Sequence, residues 1–138
     1  MKLLTLLRLL SAAPVVATAF AQQPAAPLTA EHQTFLSQYE GVRAALASDD
    51  LDAAKKAASS LTGDTAKAIA GADSLKTARE AFKSLSKEAL KIAKGQPGYF
   101  HAHCPMVPGK QGDWVQTNKT INNPYFGKSM LKCGEIQN

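Results

Sequence analysis

Side chains that carry metal or redox chemistry are scarce in this chain: two cysteines, three histidines, one tryptophan and three methionines, one of them Met1, among 138 residues. Other absences narrow the chemistry further. No Gly-rich phosphate loop, Gly-x-Ser-x-Gly turn or suitably placed acidic pair occurs, so the common signatures of nucleotide binding and acyl transfer are missing. Cys-x-x-Cys is missing too, which removes the usual motif of a thiol oxidoreductase and the usual hook of a structural zinc site. Cys104 beside His103 supplies a nucleophile and a base only nominally, because neighbouring residues of an extended chain point to opposite faces. The chain therefore reads as a binding protein and not as an enzyme. No basic run interleaved with aromatics occurs, so nucleic acid is not an expected partner. There are no internal repeats.

The most apolar stretch lies within the first 21 residues and reads as a secretory signal. Lys2 and Arg8 form a basic start, Leu3 to Val16 an apolar core, and Ala19-Phe20-Ala21 a small-x-small cleavage site. That core is too short for a membrane span, and Gln22-Gln23-Pro24 follows it in place of a stop-transfer charge cluster. No cysteine stands near the cleavage site to anchor a lipid. The expected location is the periplasm, with no membrane span after cleavage. Without Lys2 and Arg8, 14 basic residues face 11 acidic ones, so the net charge falls from the formal +5 to +3.

Residues 22–28, rich in Gln, Ala and Pro, read as a mobile tether. Residues 29–138 form one expected domain: a helical bundle over 29–95 and a metal-binding segment over 96–138. Thr29 is a candidate N-cap, and Phe35, Tyr39, Val42 and Leu46 make one apolar stripe. Ser48-Asp49-Asp50 ends this helix and caps a second, with Leu51, Ala54, Ala58 and Leu61 on its inner face. A short helical piece over Thr65–Ala70 follows. Leu75, Ala78, Phe82, Leu85, Ala89 and Ile92 then alternate at three and four residues, predicting a long helix that Gly95, Pro97 and Gly98 stop. The fold class is mainly α: a small antiparallel bundle of three to four helices, since short connections favour antiparallel neighbours. The rest is loop-rich. Tyr99 to His103 and Trp114 to Gln116 read as short extended pieces, Asn122-Asn123-Pro124 as a turn, and Lys128 to Cys133 as a final short helix. Tyr99, Phe100, Trp114, Tyr125 and Phe126 are the expected anchors of this segment on the bundle.

The scarce residues are not scattered. Both cysteines, His101, His103, Met106 and Met130 lie between residues 101 and 133. Thioether, thiolate and imidazole are the soft and borderline donors that favour Cu(I) over hard cations. In an extended segment His101 shares a face with His103, and Cys104 with Met106. Met130 and Cys133 share a face on a helical turn, with Gly134 suited to end it. Folding the intervening loop back brings four sulfurs together, with one or both histidines beside them.

At these residues a resemblance becomes specific. Cys104-Pro105-Met106, Gly112-Asp113-Trp114, Ile121-Asn122-Asn123-Pro124-Tyr125-Phe126-Gly127 and Met130-Leu131-Lys132-Cys133-Gly134 resemble, in order and spacing, a family of exported bacterial domains long without an assigned function. Its members occur alone or joined to the periplasmic adaptor subunit of copper and silver efflux pumps. The motifs cover residues 99–136; upstream only Arg79-Glu80-Ala81-Phe82 matches. His103-Cys104-Pro105-Met106 also resembles the core of a small heavy-metal-binding domain found on such adaptors and on copper-transporting ATPases. The resemblance implies copper-related periplasmic binding, with such an adaptor as partner.

The expected ligands are Cys104 and Cys133 as thiolates, Met106 and Met130 as thioethers, His103 as the nearer imidazole and His101 as a further ligand or a support. The ion is Cu(I), with Ag(I) as its mimic. A zinc set of Cys104, Cys133, His101 and His103 satisfies tetrahedral coordination but leaves both methionines unexplained. The competing reading is structural. In an oxidising compartment two cysteines by default pair, and the chain becomes a disulfide-stapled interaction module with packing methionines. An oxidised resting form of a site that binds metal once reduced unites the two.

Overall fold

A computed structural model of the chain describes residues 25–137. The expected signal and the tether up to Pro24 lie outside the described residues. Four helices come first: α1 Ala30–Ala47, α2 Leu51–Ala58, α3 Asp64–Ala70 and α4 Leu75–Ala93. Their starts are set by local chemistry. Oxygens of Thr29, Asp50 and Ser74 accept from the amides of His32, Ala53 and Thr77 at 3.2, 2.9 and 3.2 Å, each satisfying a donor that the first turn leaves free. No described helix is long and apolar enough to cross a membrane.

The apolar stripes meet in one core. Tyr39, Val42 and Leu46 of α1, Ala54 and Ala58 of α2, Ile69 of α3 and Ala78, Phe82, Leu85 and Ala89 of α4 are all buried. One position departs from the expected stripe. Leu36, not Phe35, is the fully buried residue at the start of α1, and Phe35 is half-buried. Leu36 continues the spacing of three to Tyr39 and Val42, so two aliphatic or aromatic neighbours competed for one inward position.

The chain is mainly helical, but its C-terminal part is more ordered than a loop-rich wrap. Strands β1 Phe100–His103, β2 Asp113–Gln116 and β3 Glu135–Ile136 form an antiparallel sheet in the order β2-β1-β3. The first two are the extended pieces read from the sequence. The third, two residues long, is below the length at which alternation can be recognised. The expected final helix over Lys128–Cys133 is instead a single 3-10 turn, Gly127–Ser129, followed by a second turn. Gly134 is correspondingly not a helix stop. With φ at 129° it leads into β3, and a Cβ there would stand 2.8 Å from the Trp114 ring. Close approach and backbone angle both require glycine.

Buried and half-buried side chains of the bundle grip this segment. The Tyr39 hydroxyl lies 3.1 Å from Ser86 Oγ and accepts from Val115 N at 3.1 Å. Burial pushes the Tyr39 phenol well above its ordinary range, so it stays protonated. Arg79 donates to Pro124 O and Leu46 O, both at 2.8 Å, and pairs with Asp49. The Asp49 carboxylate in turn accepts from Lys128 N at 3.0 Å.

Two measurements check these grips. Tyr39→Phe leaves the Val115 amide without its acceptor and should destabilise the fold by about 1 to 3 kcal/mol in urea unfolding. The second concerns Asp49, whose carboxyl is held below its ordinary 3.8 chiefly by the hydrogen bond from Arg79. A depressed folded value means the contribution is full above 3.8 and is lost as pH falls through the folded value. The stability gap between wild type and Asp49→Asn should be constant near neutrality and close in acid; a gap that persists unchanged at low pH would contradict this assignment.

Candidate functional site

The site is built where β1 ends. Cys104 follows the strand directly, and its amide donates to Gly112 O at 2.9 Å. The chain then turns back, with Val107 N donating to Cys104 O at 3.3 Å. Pro105 suits the second position of such a turn. The consequence for the expected pairing of Cys104 with Met106 is geometric. Cys104 and Met106 do not lie on one extended face: Cys104 is 0% exposed and Met106 62%.

Met130 and Cys133 also lie on a turn. Cys133 N donates to Met130 O at 3.0 Å, and both side chains are half-buried. Asn123 fixes this turn from outside it. Its Nδ2 donates to Cys133 O at 2.8 Å, its amide donates to Leu131 O at 2.8 Å, and its Oδ1 accepts from Tyr125 N and Phe126 N. The two cysteines meet as a disulfide, their Cα atoms 5.8 Å apart and 29 positions apart in sequence.

The histidines form a separate group. His101 and His103 share a face of β1, and both rings reach the same carboxylate: His101 Nε2 lies 2.7 Å and His103 Nδ1 3.1 Å from Asp113 Oδ1. Asp113 is the direct cross-strand partner of His103. Alternation along the chain turns Cys104 inward and His103 outward to Asp113. The six expected ligands thus occupy three places: the bonded cysteines with Met130 one turn away, Met106 on the outside of its turn, and the histidines on Asp113. Among the described residues no group of three or more His, Cys, Asp or Glu side chains is arranged to hold a metal ion.

Trp114 is fully buried beside this junction, its Nε1 donating to Gln116 Oε1 at 2.9 Å. It packs edge-on against Tyr125, whose hydroxyl donates to Asp113 O at 2.6 Å. The Tyr125 phenol is pushed above its ordinary range chiefly by burial. Two residues that shape the site carried no signal as site residues. Asp113 depends on strand register, which spacing alone does not give. Asn123 was legible only as part of a turn, whereas it is fully buried and clamps the cysteine loop.

Protein-family models, curated proteins and solved structures were all compared with the chain, and none matches.

Closing a loop of this length is worth roughly 3 to 4 kcal/mol in the chain-entropy account. Cys104→Ser with Cys133→Ser should lose about that much in denaturant unfolding under oxidising conditions. With a reductant present, wild type and variant should converge.

Proposed function

We propose that the chain is an exported Cu(I)-binding protein whose Cys104–Cys133 pair alternates between a disulfide and an ion-binding dithiol. The observation that supports this reading is the meeting of the two cysteines: the only two thiol-bearing residues of the chain touch each other at a fixed junction. Reduction by a dithiol donor adds two electrons and two protons to the S–S bond and gives two thiols, while the donor becomes a disulfide. Binding of Cu(I) then releases both protons and leaves two thiolates on the ion. Cu(I) is a soft ion suited to thiolate and thioether donors, so the cysteine pair can form the core of the site without the histidines.

The neutral donors take secondary parts. Met130 stands one turn before Cys133, and Met106, exposed two residues after Cys104, is the thioether best placed to meet an incoming ion. His103 and His101 are held by Asp113 in the manner that orients imidazole ligands, with His103, next to Cys104 in sequence, the nearer of the two. Trp114, fully buried beside residue 134, gives the junction an apolar neighbour. The cargo passes to an acceptor such as the periplasmic adaptor of a copper or silver efflux pump.

A specific observation favours a second reading. The sulfurs are bonded, and among the described residues no group of three or more His, Cys, Asp or Glu side chains is arranged to hold a metal ion. Under that reading the chain is a disulfide-stapled helical interaction module.

Native mass spectrometry of the reduced protein after anaerobic incubation with Cu(I) separates the two. One retained copper on wild type and none on the Cys104→Ser, Cys133→Ser variant is the expected result, with Ag(I) behaving alike. Met106→Leu with Met130→Leu conserves side-chain volume and should lower Cu(I) affinity by roughly tenfold, about 1.4 kcal/mol. Wild type that retains no copper when fully reduced would leave only the stapled module.

A further inference from the structure

Lys87 and Lys91 on α4, and Lys94 at its C-cap, are all exposed and follow one another at spacings of four and three, which makes a row along the end of the helix. Among the described residues none of the three is in a salt bridge. Beside the row, between the end of α4 and β1, lies a groove of about 510 Å³. Leu90, Tyr99, Phe100 and Val115 give it apolar walls, and Lys91 and Lys94 stand on its rim; among the described residues no acidic one lines it. Lys119 adds a further positive charge, its ammonium 5.6 Å from the centre of the Phe100 ring. Asp113, two residues before Val115 on β2, is occupied by His101 and His103. The groove is therefore apolar in its walls, and the lysines beside it are Lys91 and Lys94 of its lining together with Lys119.

We propose that this groove docks an extended acidic segment of a partner protein, with apolar side chains against Leu90, Tyr99 and Phe100 and carboxylates along the lysine row. Charge and dimensions both select that occupant. From Lys87 to Lys94 the row spans about 10 Å at 1.5 Å per residue, longer than a single anionic headgroup. About three residues of extended chain cover it, at roughly 3.3 Å each. A flat anionic membrane would reach the lysines and leave the recessed apolar walls empty. Alternating carboxylate and apolar side chains fill both parts of the groove, because an extended chain presents them to opposite sides. The docking uses none of the sulfur donors and stands independently of the copper reading.

The test is amide NMR of the isotope-labelled chain titrated with a short, acetylated and amidated peptide alternating glutamate with leucine and phenylalanine. Shifts confined to residues 87–101 and to Val115, Lys119 and Gln137 are expected. Lys91→Glu with Lys94→Glu should weaken binding by roughly tenfold or more, as removal of desolvated or rim charges does at charged interfaces, and the same peptide with lysine in place of glutamate should not bind. Both substituted lysines are exposed, so the thermal melt should match wild type; if it does not, the milder pair Lys91→Gln and Lys94→Gln replaces it. Shifts spread over other faces, equal binding of the lysine peptide, or indifference to charge reversal would each overturn the proposal. So would phosphatidylglycerol vesicles that perturb these amides when the acidic peptide does not, because the face would then be a membrane surface.

Discussion

The architecture depends on how the C-terminal third satisfies its backbone. Its strands are two to four residues long, so most of its N–H and C=O groups lack the partners that a helix or broad sheet supplies, and leaving them buried and unpaired is costly. The bundle provides those partners from buried and half-buried side chains. Arg43, itself 4% exposed, donates to Asn122 O while Glu40 holds its guanidinium from the other side. Arg79 reaches Pro124 O, and Tyr39 accepts from Val115 N. Among the described residues no buried side-chain nitrogen or oxygen is left without a partner. The helices thus act as a template whose polar groups fix where the loop segment runs.

Packing follows the same path. Ring centroids step from Phe35 to Tyr39, Phe82, Tyr125 and Trp114 at 6.5, 5.3, 5.7 and 6.1 Å. Each such pair adds about 0.5 to 1.5 kcal/mol beyond its area. The series begins on α1, crosses α4 and ends on β2, so the bundle core and the cysteine junction share one continuous apolar interior. Trp114 is both the last aromatic of that interior and the neighbour that forbids a side chain at residue 134. One residue thereby couples core packing to the geometry immediately after Cys133.

What the sequence makes legible divides along the same line. Helices with a regular stripe and a capping side chain were readable to within a residue or two, because periodicity and caps are local properties. Tyr99 to His103 and Trp114 to Gln116 were readable as extended, but not as partners, since register between them is set by the turn at residues 104–112 and by burial of Trp114. Ser86 and Asn123 show the limit most clearly. A serine on an apolar helix face and an asparagine before proline look ordinary, yet each is buried because a distant group, the Tyr39 hydroxyl or the Cys133 carbonyl, needs it. The six candidate donors were legible as a group in sequence, whereas their division between an inward cysteine, an outward methionine and a histidine pair on Asp113 comes from two tight turns that local spacing does not encode.

Those turns bear on what reduction of the cysteine pair would do. A disulfide that alone held two loops together would release them when cut, and the sulfurs would separate. Here each cysteine has anchors of its own. Cys104 is tied to Gly112 through its amide, and a Cβ on residue 112 would overlap the Cys104 carbonyl, so the backbone there is closely packed. Cys133 is tied to Met130 through its amide and to Asn123 through its carbonyl. The aromatic series and the Arg79 contacts hold the surrounding chain without reference to the S–S bond. Cutting that bond removes a constraint on the unfolded chain but leaves these anchors in place, so under the proposed function the two thiols would meet an ion with little further ordering to oppose binding.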